Sequence, residues 1–240
     1  MKIALIGYGK MGKAIEAIAV ERGHEVVLKV GIENLEDFTD ANLRKADVAI
    51  EFTGPESAFE NIKKIMDSGV SVVSGSTGWL NHYDETKAYN SKKGTAFLYA
   101  SNFSLGVNLF FALNSFLAKV MAPYQQYATS ITEIHHTAKL DAPSGTAITL
   151  AEQMMENLPG KTRWTKNEND GADAIYIESK RIDPAPGTHT VRYVSEIDTI
   201  TIEHEAHSRM GFALGAVIAA EFLLGKKGIY TMKDVLNIGA

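Results

Sequence analysis

The sequence predicts an α/β protein with two domains: a parallel sheet in the first, and a mixed or antiparallel sheet in an α+β second domain. Two observations lead to this prediction. Short apolar runs alternate with segments of helical spacing over residues 2–103, as in a parallel sheet with crossover helices. After residue 104, long apolar helices flank segments that alternate apolar and polar residues, as half-buried antiparallel strands do.

The first predicted strand leads into a glycine motif. The run KIALIG at 2–7 predicts a strand, and apolar spacing over 10–22 predicts a helix. Gly7, Gly9 and Gly12 lie between them as G-x-G-x-x-G. This order is typical of a Rossmann-type dinucleotide site. Its second glycine lets the backbone approach a pyrophosphate, and the helix N-terminus binds the pyrophosphate charge.

The second strand, predicted at 24–31, leads to residues that would contact a ribose. An acidic side chain there binds the 2′-hydroxyl of NAD, whereas a cation accommodates the 2′-phosphate of NADP. The strand end offers Lys29 and then Glu33. Both could also be solvated loop charges, so the sequence leaves the cofactor preference open.

Three further strands end in small polar residues. The segments 46–58, 70–79 and 95–104 each begin as a strand, and helical spacing occupies 55–67. In a parallel sheet the carboxyl ends of the strands share one edge, where ligands bind. The residues expected there are Thr53, Gly54, Gly75, Ser76, Thr77, Ala100, Ser101, Asn102 and Phe103. Small residues also favour turns, so the prediction depends on several strand ends coinciding.

The second half of the chain predicts a different topology. Helices are expected at 105–124 and 210–228, strands at 127–137, 174–181, 189–197 and 198–206, and a polar, mobile loop at 162–173. The predicted dinucleotide-binding domain comprises 1–103 and 211–240, because the last helix packs back on it. The second domain comprises 104–210. We expect a cleft between the domains, with hinges near residues 103 and 210.

One short segment, EIHHTAKLDAPSGTA at 133–147, combines a helix start with a turn. Ser144 is a natural N-cap for the helical pattern that follows. The N–H groups of Gly145 and Thr146 would then form a seat for a carboxylate. Gly145 would also let a ligand approach the backbone.

The same segment contains three side chains that can donate a proton: His135, His136 and Lys139. Hydride addition builds negative charge on a substrate, and a positioned acid neutralises it. A small anionic substrate that needs protonation would use this set. A metal site is the alternative interpretation. However, two adjacent histidines without a cysteine or a second histidine at i, i+4 are poorly placed to bind zinc. We therefore expect no metal.

Composition excludes several classes of function. A net charge of −5 over 240 residues argues against general nucleic-acid binding. No apolar run approaches the roughly 18 residues of a membrane span. The chain contains no cysteine, which excludes disulfides and thiolate chemistry. These features, with a start that does not resemble a signal peptide, lead us to expect a cytoplasmic protein.

The segment 133–147 closely resembles the signature of dihydrodipicolinate reductases, a family of lysine and diaminopimelate biosynthesis. The resemblance covers nearly the whole chain: IGYGKMG, SGSTGW, ASNFSLGVN, HSRMGFALGAV and MKDVL match as well. It implies reduction of a cyclic imine dicarboxylate to tetrahydrodipicolinate with NADH or NADPH. It also implies a homotetramer built through the sheet of the second domain, so that residues 104–210 would serve both substrate binding and oligomerisation.

The resemblance assigns roles to residues. His135 and Lys139 match the catalytic pair, and the spacing does not decide which of them is the final proton donor. His136, Gly145 and Thr146 match substrate-binding positions. Arg209 is a more speculative helper. The matching cofactor positions are Gly7, Tyr8, Gly9, Lys10, Met11, Gly12, Gly75, Ser76, Thr77, Ala100, Ser101, Asn102 and Phe103.

Two other functions stay open from the sequence. One is a two-domain oxidoreductase that acts on a different small carboxylate or imine. The other is a non-catalytic protein that senses dinucleotides and binds cofactor without turnover. The presence of both His135 and Lys139 argues against the second.

Overall fold

The chain forms two compact units in a computed structural model, which describes residues 1–208 and 210–238. Unit 1 consists of Met1–Leu105 and Met210–Ala240, and unit 2 consists of Gly106–Arg209. Unit 1 contains a six-stranded parallel sheet, and unit 2 contains a five-stranded mixed sheet. The predicted fold class is confirmed.

The helices and strands follow in chain order. The first half contains β1 (Lys2–Ile6), α1 (Lys10–Glu21), β2 (Glu25–Val30), α2 (Asp40–Leu43), β3 (Val48–Glu51), α3 (Pro55–Asp67), β4 (Ser71–Ser74), α4 (Tyr83–Lys93), β5 (Ala96–Tyr99) and α5 (Leu105–Met121). The second half contains β6 (Ala128–His135), α6 (Gly145–Asn157), β7 (Arg163–Thr165), β8 (Ala174–Arg181), β9 (Gly187–Val194), β10 (Thr199–Ala206), α7 (Met210–Leu223), β11 (Gly228–Tyr230) and α8 (Met232–Leu236).

The sheet of unit 1 has the strand order β11-β5-β4-β3-β1-β2. Its inner strands β1, β3 and β4 are almost wholly buried, as expected when helices cover both faces of a parallel sheet. One core cluster joins it to Ile15 of α1 and Ala216 of α7. A second cluster includes Ile62 and Ile65 of α3. Because all strands run the same way, their carboxyl ends meet at one edge.

The sheet of unit 2 has the strand order β10-β9-β6-β8-β7. Strand β9 is antiparallel to both β10 and β6, whereas β6, β8 and β7 run parallel. Leu150 and Met154 of α6 pack on Ile131 and Val191 of this sheet in one core cluster. Strand β6 is central, so its carboxyl end at His135 is firmly held.

Two sequence-based expectations need correction. Residues 162–173 are not all loop, because Arg163–Thr165 forms β7 beside β8, and Arg163 binds Asp170 and Asp173 across the following turn. Polar neighbours conceal this three-residue strand in the sequence. The last long helix ends at Leu223 rather than 228, and Gly228–Tyr230 instead adds β11 to the edge of the parallel sheet. Among the described residues, no helix is long and apolar enough to cross a membrane.

Candidate active site

A groove of about 1110 Å³ lies at the carboxyl ends of β1, β2 and β3 in unit 1. Its lining includes Gly7, Tyr8 and Gly9 of the glycine motif, together with Lys29 and Glu33. The position is the one where parallel sheets bind dinucleotides.

A different physical reason explains why glycine occupies each of the three positions of the motif. Gly7 has φ +97°, and a Cβ there would lie 2.0 Å from the Phe52 carbonyl oxygen. A Cβ at Gly12 would lie 2.7 Å from the Gly7 carbonyl oxygen, so Gly12 lets α1 pack against the turn. A Cβ at Gly9 would meet nothing within 4 Å. Gly9 thus leaves open space at the N-terminus of α1, and a pyrophosphate fits this cradle.

The remaining predicted residues of the glycine motif divide between groove and core. Tyr8 lines the groove, and Lys10 is an exposed first residue of α1. Met11 packs against the hydrophobic core instead. Lys13 lines the groove and was missed by the sequence analysis. The signal that could have found Lys13 is its place in the first turn after the glycines, where its N–H binds the Gly9 carbonyl at 3.0 Å.

A buried carboxylate connects the loops after β3 and β4. Glu51 is 0% exposed, and its Oε1 accepts hydrogen bonds from Ser76 Oγ at 2.7 Å and Thr53 N at 2.9 Å. Its Oε2 accepts one from Ser74 Oγ at 2.6 Å. Ser76 therefore lies in a fixed position, next to the exposed Thr77. The sequence analysis did not single out Glu51, although it is the last residue of an otherwise apolar strand.

Two of the predicted loops are also shaped by packing. A Cβ at Gly75 would lie 2.2 Å from the Phe52 ring, so only glycine fits there. In the loop after β5, Ala100 N–H binds the Ser74 carbonyl at 3.2 Å, and Ser101 is exposed. Asn102 accepts a hydrogen bond from Ser104 N at 2.9 Å.

Phe103, predicted to contact cofactor, has a side chain that belongs to the core. It is 2% exposed, and its ring lies 5.7 Å from that of Phe52. A Cβ at Gly215 would come within 1.7 Å of the Phe103 carbonyl oxygen.

The end of the groove next to β2 contains a charge network. Tyr8 Oη donates a hydrogen bond to Glu16, and Lys29 Nζ lies 3.2 Å from Glu16 Oε1. The bond from Tyr8, followed by that from Lys29, lowers the pKa of the Glu16 carboxyl, whereas the bond to Glu16 raises the pKa of Lys29. Lys29 is therefore already partly neutralised, while Glu33 lines the same groove as an exposed side chain.

In unit 2, the segment after β6 forms a turn that ends at the N-terminus of α6. Ser144 caps this helix, because its Oγ accepts a hydrogen bond from Ala147 N at 3.2 Å. Gly145 is exposed, and a Cβ there would meet nothing within 4 Å. Thr146 is half-buried beside it. The arrangement leaves the first N–H groups of a 13-residue helix open to a carboxylate.

Lys139 forms a close ion pair within this turn. Its Nζ lies 2.8 Å from both carboxylate oxygens of Asp141. The hydrogen bond from Lys139 lowers the pKa of Asp141. His136 is half-buried, and the next residue, Thr137, is tied to Asp183 through a hydrogen bond from its N–H at 3.1 Å.

His135 lies at the buried end of β6 against a second carboxylate. Its Nδ1 lies 3.2 Å from Glu133 Oε2, and its ring centroid lies 5.0 Å from that of His189. Burial alone would raise the pKa of Glu133, but contacts with His135, Ser144, Ser179 and Arg181 together hold that pKa well below its usual range.

The sequence analysis missed Glu133, Arg181 and His189. Glu133 could have been found, because it precedes His135 by two positions and shares its face of the strand. Arg181 and His189 come from β8 and β9, whose pairing with β6 no local pattern reveals. Arg209, the speculative helper, lies outside the described residues.

His189 predicts a specific pH dependence of stability. Burial, followed by repulsion from His135, lowers the pKa of His189 to about 4. In the unfolded chain, His189 takes up a proton below its ordinary pKa near 6.5. In the folded chain it binds this proton only near pH 4. The free energy of unfolding should therefore fall by about 2 kcal/mol between pH 7.5 and pH 5.

Urea unfolding at these two pH values checks this expectation. His189→Gln should show a smaller loss than wild type, whereas His207→Gln, at an exposed position in the same unit, should match wild type. An equal loss in wild type and His189→Gln would contradict the assignment.

Comparison with known proteins gives a consistent family relationship. The family model for the N-terminus of dihydrodipicolinate reductase matches residues 1–103, and the model for its C-terminus matches residues 106–236. A 4-hydroxy-tetrahydrodipicolinate reductase of Christiangramia forsetii is 52% identical over 237 residues, which cover 99% of this chain and 98% of the relative. One of Neisseria meningitidis serogroup B is 35% identical over 233 residues, 93% of this chain and 84% of the relative.

A solved structure has the same fold. Dihydrodipicolinate reductase from Paenisporosarcina sp. TG-14, with dipicolinate bound, superposes with a TM-score of 0.77. The two sequences are 23% identical, and the match covers 96% of this chain and 97% of the other.

Proposed function

Since the chain belongs to the dihydrodipicolinate reductase family, we propose that it is an NADH- or NADPH-dependent oxidoreductase that reduces 4-hydroxy-tetrahydrodipicolinate to tetrahydrodipicolinate in lysine and diaminopimelate biosynthesis. One observation in unit 2 supports this function best. Glu133 faces His135 and also binds Ser144 N–H at 3.1 Å, so that one side chain connects a proton donor to a carboxylate seat.

The reaction needs loss of the substrate's 4-hydroxyl group as water, which gives a conjugated imine, and a bound nicotinamide would supply the hydride for the conjugated ring carbon. The chain's own residues do the rest. The N–H groups of Gly145 and Thr146 bind one substrate carboxylate, and His136 contributes to substrate binding beside them. His135 or Lys139 donates the proton that neutralises the enamine-like anion. In unit 1, Gly9 and Lys13 would hold the pyrophosphate, and the loops that contain Ser76 and Ala100 would contact the nicotinamide end.

A coupled absorbance assay tests the proposed function. Pyruvate, aspartate semialdehyde and the preceding synthase generate the substrate in place, and oxidation of NADH and NADPH is followed separately. Rapid oxidation that requires the synthase supports the assignment. Binding of cofactor without oxidation would contradict it and favour the sensing protein, whereas oxidation with other small imines but not this one would favour a different reductase.

The carboxylate seat makes a prediction about Gly145→Ala. A Cβ at this position has free space, and alanine is a better helix residue than glycine, so stability should stay equal or rise by about 0.5–1 kcal/mol. The methyl group would nevertheless occupy the approach to the exposed N–H groups. We expect KM for the substrate to rise about tenfold or more while KM for the cofactor is unchanged. An unchanged KM for the substrate would contradict the proposal that a substrate carboxylate binds at the N-terminus of α6.

The charge network at the ribose end predicts a preference for NADH. Glu16 neutralises Lys29, and Glu33 adds negative charge, which opposes a 2′-phosphate. We expect a higher kcat/KM with NADH than with NADPH. Glu16→Gln frees Lys29 and should shift the ratio toward NADPH by about two- to fivefold, the modest effect of an exposed ion pair. Glu21→Gln, exposed on the same helix, is the control. A wild-type preference for NADPH would overturn this reading.

We also propose a cytoplasmic homotetramer built through unit 2. The edge strand β10 pairs on one side with β9, and its eight residues are mostly exposed. On α5, Leu109, Leu113, Phe116 and Val120 are each 47–65% exposed along one face, an apolar stripe suited to a second copy. Sedimentation should give four times the 26.2 kDa of one chain. A monomer at micromolar concentration would contradict the tetramer.

A further inference from the structure

We propose that Glu133 is a positioning residue that sets the proton location on His135 and, through Arg181, holds the segment that contains Lys139. This inference deepens the proposed function and rests on it. Glu133 is 0% exposed, and its two carboxylate oxygens have different partners.

Oxygen Oε1 is occupied by two donors. Ser144 N–H donates to it at 3.1 Å, and Arg181 Nη2 donates at 3.1 Å. Oxygen Oε2 instead faces His135 Nδ1 at 3.2 Å and His189 Nε2 at 3.8 Å. The contact with His135 lacks the alignment of a full hydrogen bond, a feature common at catalytic groups before substrate binds.

This geometry fixes which nitrogen of His135 holds a proton. A carboxylate only accepts hydrogen bonds, so the His135 nitrogen that faces it must be Nδ1–H. The opposite nitrogen, Nε2, lies beside Gly187, where a Cβ would come within 3.1 Å. Nδ1–H is thereby directed at Glu133, and Nε2 is the ring nitrogen left to take part in the reaction.

The charged and titratable groups around His135 come from three strands. They include Glu133 on its own strand, Arg181 on β8 and His189 on β9. His189 is neutral at pH 7, because its pKa is lowered to about 4. Arg181 is bound to Glu133 Oε1, and Glu133 Oε2 lies 3.2 Å from His135 Nδ1.

Arg181 extends the same restraint to the segment of Lys139. In the parallel register of β6 and β8, Arg181 lies opposite His135. Its Nη2 donates to the Asp141 carbonyl at 2.6 Å, and its Nε donates to the Lys139 carbonyl at 3.3 Å. Both candidate proton donors are therefore held by one ion pair, in which Glu133 is buried and Arg181 is half-buried.

A metal site is the competing interpretation of the same cluster. Ligand atoms of Glu133, His135 and His189 lie within 4.8 Å of one another. Two contacts favour positioning instead: the Arg181 guanidinium already binds the carboxylate, and Ser144 Oγ lies 3.1 Å from His189 Nε2. A second cation beside a guanidinium would be strongly repelled.

The variant Glu133→Gln distinguishes two roles of Glu133. If Glu133 positions the proton of His135, the protonated ring nitrogen should change, whereas it should stay the same if Glu133 only fills space. The two donors at Oε1 hold the amide oxygen there, so the NH₂ group must face His135 Nδ1. That nitrogen then becomes an acceptor, and the ring proton moves to Nε2. Nitrogen-15 spectra of histidine-labelled protein should show protonated Nδ1 in wild type and protonated Nε2 in the variant. The same tautomer in both would overturn the proposal, whether or not the enzyme is active on the proposed substrate.

Kinetics supply the second readout. Glu133→Gln should lower kcat at least tenfold, within the ~10²–10⁴-fold contribution of a general acid, while KM for cofactor stays unchanged. The double variant with His135→Gln should be no slower than His135→Gln alone, because Glu133 acts through His135. Glu178→Gln, on neighbouring β8 and bound to Lys180, is the matched control and should keep full turnover.

These outcomes separate the two proposals. An inactive wild type with the tautomer switch intact would reject the proposed substrate and keep the positioning role. An active wild type with additive losses in the double variant would reject the positioning role alone. Loss of wild-type turnover with EDTA and its recovery with Zn²⁺ would overturn positioning in favour of the metal site.

Discussion

Replacing Lys139 with methionine is expected to lower kcat by about 10²–10⁴-fold, the contribution of a positioned proton donor. Methionine keeps the length of the side chain and removes its ammonium. The loss should appear in steady-state oxidation of NADH with substrate made in place, at saturating cofactor. Stability should change by less than about 1 kcal/mol, because the partner carboxylate of Asp141 is solvent-exposed.

Two comparisons make this result specific. Lys119→Met, near the end of α5 on an exposed position, should leave kcat unchanged. His135→Gln should lower kcat as well, and the larger of the two losses identifies the final donor. Near-normal turnover in Lys139→Met, together with a large loss in His135→Gln, would remove Lys139 from proton transfer.

Replacing Gly9 with alanine is expected to weaken cofactor binding about 10- to 100-fold without unfolding unit 1. A Cβ at Gly9 meets no protein atom within 4 Å, so the fold accepts it. The methyl group would enter the space that the pyrophosphate needs, and a loss of this size corresponds to roughly 1.4–2.8 kcal/mol. Titration with NADH, followed by fluorescence, measures the change in Kd.

Gly12→Ala is the contrasting variant. Its Cβ would lie 2.7 Å from the Gly7 carbonyl oxygen, so the turn or α1 must shift and thermal stability should fall. Gly23→Ala is unsuitable as a control because Gly23 has φ +80°. Equal Kd values for wild type and Gly9→Ala would show that the pyrophosphate does not lie at this turn.

Local patterns predicted much of this fold. The strand, glycine turn and helix over residues 2–22 were readable because each step has its own periodicity and each glycine its own steric reason. Strand β7 was not, because three residues are too few for periodicity and its partner β8 begins nine residues later. Strand β11 was obscured because only four residues separate it from a long apolar helix.

The site was predictable where it is contiguous in sequence. His135, Lys139 and Gly145 lie within one segment, and their chemistry was visible from residue type and spacing. Arg181 and His189 reach His135 only through the pairing of β6 with β8 and β9, which is a tertiary property. For Phe103, the local sequence pointed the wrong way for the side chain. Its position next to polar loop residues predicted contact with the cofactor, but its ring packs in the core.

The buried carboxylate of Glu51 has a consequence for motion. The amide of Thr53 and the hydroxyls of Ser74 and Ser76 all depend on this one side chain. Neither loop can open without leaving a buried carboxylate short of donors, so the loops after β3 and β4 should open together rather than one at a time. Their amide protons would then exchange with solvent at a common rate, as one cooperative unit.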